Sequence, residues 1–64
     1  MRVTDLRERL AVALGPAYAA SWAQDFVLAA IGSRTVEQAL TAGVDVGDIW
    51  RAVHDELRLP ARLR

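Results

Sequence analysis

The sequence predicts an all-α fold: a compact four-helix single domain over residues 1–64, with a helix-turn-helix-like corner between helices three and four. Three observations predict it. Gly15-Pro16, Gly32-Ser33, Gly43 and Pro60 cut the chain into four segments. Each segment carries apolar residues at helical spacing. None alternates with period two over a useful length, so no strand is expected.

Helix one is expected at about 5–14. Thr4 is a good N-cap, and Asp5 sits in the first turn, where the helix dipole favours a carboxylate. Val3, Leu6, Leu10, Ala13 and Leu14 fall on one face. Gly15 follows, where a helix end favours a left-handed residue.

Helix two is expected at about 16–31, opened by Pro16 in the first turn. Tyr18, Trp22, Phe26 and Ala30 form an i,i+4 ladder, widened by Ala19, Ala23, Val27 and Ile31. Only Ser21, Gln24 and Asp25 make a polar strip, which Leu28 continues. A helix this apolar is expected to be central and buried on most sides.

Helix three is expected at about 35–42. Thr35 and Gln38 fit the capping box, in which hydroxyl and amide satisfy free N–H groups reciprocally. Helix four is expected at about 46–58, capped by Asp45. Its apolar stripe is Val46, Ile49, Trp50, Val53 and Leu57, with Asp48, Arg51 and Asp55 as an outer charged ladder. A frayed tail is expected at 60–64. The core is expected around Trp22, Phe26, Leu40, Ile49 and Trp50.

Composition excludes several classes of function. A chain of 64 residues is too short for a Rossmann domain or a barrel. No cysteine means no disulfide framework and no thiolate metal site. His54 is the single histidine, so no multi-histidine metal site forms within one chain. Eight arginines and no lysine balance five aspartates and three glutamates. Zero net charge argues against non-specific affinity for nucleic acid or anionic membrane. No stretch is long and apolar enough to span a bilayer, and charges at Asp5–Arg9 break any signal-peptide core. The expectation is a cytoplasmic protein with no cofactor and no small-molecule substrate.

Ala39, Gly43, Val44 and Ile49 have the spacing of a helix-turn-helix corner. A small residue sits where the helices cross, a glycine turns the chain, and two branched residues plug the angle. The stretch Thr35 to His54 resembles the corresponding part of lac-repressor-type DNA-binding domains. In that motif the start of the second helix meets base edges. Here those positions are Asp45, Val46, Gly47 and Asp48, and two carboxylates would face phosphate. Only Arg51 and His54 lean the other way.

Candidate partner-binding residues are Arg34, Trp50, Arg51 and His54. Trp50, like Trp22, lies on an apolar stripe and reads first as core. Its alternative role is a partly exposed anchor, since tryptophan and arginine are enriched at interface hot spots. Arg34 either pairs with Glu37 or offers its guanidinium to a partner's carboxylate. His54 reads as a surface histidine near a helix C-terminus. No Gly-x-Ser-x-Gly elbow or phosphate loop is present, so no residues carry an enzymatic reaction.

Tyr18-Ala19, Trp22-Ala23, Asp25-Phe26-Val27-Leu28, Gly32 to Leu40, Gly43-Val44 and Ile49 to Val53 together resemble the small actinobacterial proteins catalogued as domain of unknown function 3046. The likeness covers essentially the full chain. Phe26 stands where that family often has histidine, Ser33 where it often has a second glycine, and His54 where it often has cysteine. The resemblance implies a small cytoplasmic protein without assigned activity. Its genes tend to lie near those of the strand-exchange recombinase and its regulator, an associational pointer to DNA metabolism. The reading is a non-enzymatic interaction or regulatory module whose partner is another protein or a second copy. A helix-turn-helix nucleic-acid binder is the alternative.

Overall fold

Residues 1–60 are described by a computed structural model; the expected frayed residues 61–64 lie outside the described residues. The order is α1 (Val3–Leu14), α2 (Pro16–Asp25), a single 3-10 turn (Ala29–Ile31), α3 (Val36–Thr41) and α4 (Val46–Leu57). No strand occurs among the described residues, and no helix is long and apolar enough to cross a membrane.

α1 begins two residues earlier than expected. The Asp5 carboxylate accepts from the Arg2 backbone N–H at 3.1 Å, so the first turn closes on Arg2 instead of Thr4. Leu6 and Leu10 are buried, whereas Val3, expected to face inward, is exposed. Gly15 then joins α1 directly to α2, with Pro16 in the first turn.

α2 is shorter than expected, and this is the main correction to the fold. Phe26 (φ −84°, ψ 121°) and Leu28 (φ −103°, ψ 113°) are extended. The Leu28 N–H donates to the Arg34 carbonyl at 2.9 Å, and the two residues form an isolated antiparallel bridge. The reason lies in the polar strip. A straight helix would keep Leu28 on the face of Ser21, Gln24 and Asp25, in water. Breaking the helix turns Leu28 into the core at 1% exposure and brings Ile31 with it. Burying side chains of that size favours the break by roughly 1.5–3 kcal/mol each. The expectation that helix two is buried on most sides is therefore corrected. Only Ala19, Trp22 and Ala23 are buried in it, and Tyr18, Phe26 and Val27 are exposed.

The return to α3 runs through Gly32 (φ 80°) and Ser33 (φ 57°), two successive left-handed residues. Thr35 then caps α3 as expected. Its hydroxyl accepts from the Gln38 N–H at 3.1 Å, and the Gln38 side chain accepts from the Thr35 N–H at 3.0 Å. Gly43 (φ 82°) reverses the chain, and the Val44 N–H bonds the Ala39 carbonyl at 3.0 Å. Asp45 caps α4 by accepting the Asp48 N–H at 3.2 Å.

The core gathers Leu6 and Leu10 from α1, Trp22 from α2, Leu28 and Ile31 from the break, Val36 and Ala39 from α3, and Ile49, Trp50 and Val53 from α4. Of the expected core, Trp22, Ile49 and Trp50 are buried, Leu40 is partly buried, and Phe26 is exposed at 37%. One ion pair ties distant segments together. Arg7 of α1 grips Glu37 of α3 with two bonds, at 2.7 and 2.9 Å. Arg7 hydrogen-bonds Glu37, which holds the carboxyl below its ordinary range and pushes the guanidinium further up.

Candidate functional site

The four candidate residues do not converge. Arg34 and Arg51 are both exposed and line one open groove of about 490 Å³ with Asp48 and Asp55. That groove is charge-compensated. Arg51 is bound by Asp48, one turn earlier on α4, and Arg34 Nη1 donates to the Ile31 carbonyl at 3.2 Å. Glu37, the partner the sequence allowed for Arg34, is taken by Arg7.

Trp50 and His54 lie inside. Trp50 is buried, with the Arg9 guanidinium of α1 over its ring, 5.7 Å from the centroid. Its Nε1 has no hydrogen-bond partner among the described residues. His54, expected on the surface, is buried at 7% exposure. The chain reverses at Arg58 (φ 52°), and the Leu59 N–H returns to the His54 carbonyl at 3.1 Å. This reversal lays residues 58–60 along the histidine. His54 Nε2 then meets the Pro60 carbonyl at 3.0 Å, and since a carbonyl only accepts, Nε2 donates. The ring is buried and ties the end of α4 to Pro60.

The more distinctive surface joins Trp22 and Phe26, expected in the core, to Ser21 and Asp25 of the expected polar strip. Tyr18, Ser21, Trp22, Asp25 and Phe26 line a cleft of about 250 Å³ on α2. Their spacing, i, i+3, i+4, i+7 and i+8, places them on one stripe. The Phe26 ring stacks on Trp22, with centroids 4.9 Å apart and planes 13° apart. Tyr18 at the other end is 60% exposed. Beside the rings, the Ser21 hydroxyl reaches the Asp25 carboxylate at 3.4 Å. Asp25 is the single charge in the lining, and no cation among the described residues pairs with it. The aromatic ladder was visible in the sequence; its exposure was not, because that follows from the break after Asp25.

Among the described residues, no group of three or more histidine, aspartate or glutamate side chains is placed to hold a metal ion. Ser21 has a carboxylate beside it but no imidazole, since the one histidine is fastened to Pro60.

A family model described as protein of unknown function, DUF3046, matches residues 1–62. No curated protein and no solved structure matches the chain.

Proposed function

The chain belongs to the DUF3046 family, and from the surface it presents we propose a non-enzymatic interaction module whose binding face is the aromatic cleft of α2. One observation carries the reading. Tyr18 is 60% exposed and Phe26 37% exposed, and both line one cleft on α2. Contiguous exposed apolar surface marks interaction sites, and tyrosine and tryptophan are enriched at their hot spots. The Phe26 ring already packs on Trp22, so less of its side-chain freedom is left to lose on binding.

The nucleic-acid alternative finds less support. At the start of α4 the Asp45 carboxylate is committed to the Asp48 N–H, and Asp48 to Arg51. A helix reading bases would approach with these two carboxylates first.

Site-specific crosslinking tests the proposal. A photoreactive benzoylphenylalanine at Tyr18, introduced in the native cell, is expected to give a discrete protein adduct. The same probe at Val12, which is 77% exposed on α1, is expected to give none. Phe26→Ala should abolish the adduct, and the captured protein, once purified, should bind the wild-type chain saturably. Adducts only to nucleic acid, or equal labelling from both positions, overturn the reading.

A further inference from the structure

We propose that the cleft of α2 receives an arginine side chain from a partner protein. The inference rests on the interaction-module reading above and adds the chemistry of the occupant.

Three sources of negative potential meet in the cleft. Tyr18 and Phe26 line it, one face of Phe26 being taken by Trp22, and the face of an aromatic ring is the negative side of its quadrupole. The Asp25 carboxylate stands between them in sequence and has no cationic partner among the described residues. Asp25 is also the last residue of α2, where carbonyl groups give the helix its negative end, and no basic residue occupies that last turn. A carboxylate there is unfavourable alone and calls for a cation.

The cleft also discriminates among occupants. A purely apolar group would cover Asp25 and leave a charge desolvated without a partner, which costs more than the apolar contact returns. An ammonium would meet the carboxylate as a point charge but could not stack. A guanidinium is planar, lies flat on a ring, and donates two parallel N–H bonds to a carboxylate. The Ser21 hydroxyl, 3.4 Å from one carboxylate oxygen, leaves the remaining lone pairs open to that fork.

The test is an NMR titration of the whole protein with three capped tripeptides, alanine–X–alanine, where X is arginine, citrulline or lysine. Citrulline keeps the shape and reach of arginine and lacks its charge. The arginine peptide is expected to shift the Trp22 indole and the Ser21, Asp25 and Phe26 amides saturably at millimolar concentration. The citrulline peptide should bind about tenfold more weakly or worse, with lysine between. Asp25→Asn, which keeps the size and can still accept from Ser21, should remove about tenfold for arginine alone. Tyr18→Ala, at an exposed position, should weaken binding without loss of helix content by circular dichroism. Equal binding of arginine and citrulline, no effect of Asp25→Asn, or shifts scattered over other faces would each overturn the assignment. So would self-association abolished by Asp25→Asn, which would make the occupant a second copy. The two readings fail separately. A partner captured at Tyr18 whose affinity ignores Asp25→Asn removes the arginine and keeps the module. Saturable arginine binding without any protein adduct at Tyr18 keeps the chemistry of the cleft and removes the module.

Discussion

Ser33 holds a φ of 57°, a conformation that costs a residue with a side chain roughly 1–2 kcal/mol. Glycine adopts it freely but gives up more freedom on folding, which offsets part of the gain. Ser33→Gly is therefore expected to stabilise the protein by about 0.5–1 kcal/mol in chemical denaturation. Ser33→Val should move the midpoint the other way. Trp50 is the opposite case, a side chain the fold depends on. It is 4% exposed, so Trp50→Ala should cost about 3–5 kcal/mol. That is a large part of what a domain of this size has. A variant with unchanged stability would mean that the indole adds nothing to the core. Single residues also show where the sequence was legible. Trp22, Ile49 and Trp50 are buried as their stripes predicted, because those stripes face other helices. Phe26 and His54 exchanged environments relative to expectation. Each depends on a departure from the helix, the extended segment Phe26–Leu28 and the left-handed Arg58, that helical spacing cannot encode.

At the scale of elements, caps and breakers were readable and long-range pairings were not. The Thr35–Gln38 capping box, the Asp45 cap and the positive φ of Gly43 follow from side chains and backbones within four residues. The end of α2 at Asp25 carried no glycine or proline; it is set by Leu28 finding the core and Arg34 offering a carbonyl. The aromatic cleft shares that fate, since it exists only because the helix stops. The Arg7–Glu37 pair joins α1 to α3 across 30 residues and had no local signal. Its side chains remain 50% and 35% exposed, so solvent screening keeps its contribution below about 1 kcal/mol. The sign of its pH dependence is fixed. Glu37 is more acidic in the folded protein than its ordinary value of 4.5. The stabilisation is fully present above that value and is lost as pH falls through the lower folded one. Glu37→Gln should accordingly lower stability by less than about 1 kcal/mol at pH 7. Denaturant midpoints of variant and wild type should converge as the pH is taken below the carboxylate range. A difference that persists there would assign the effect to packing.

For the whole molecule, equal numbers of acidic and basic groups leave no net field to draw in a polyanion. No binding to random duplex DNA tighter than about 10 μM is expected at physiological salt. Fluorescence anisotropy at two salt concentrations checks it. Micromolar affinity with a steep salt slope, lost in Arg51→Ala, would replace the protein-interaction reading with the nucleic-acid one. The bridge between Leu28 and Arg34 has a consequence of another kind, for how the chain can change length over evolutionary time. The bridge closes a small ring, and within it Gly32 and Ser33 are exposed. A residue inserted beside them enlarges the ring, and loop-closure entropy rises only slowly with length. One inserted at Phe26 or Val27 instead shifts an extended segment by one position, and a one-residue slip points Leu28 to the opposite face. An inserted residue is thus expected to cost little beside Gly32 and Ser33 and much more at Phe26 or Val27.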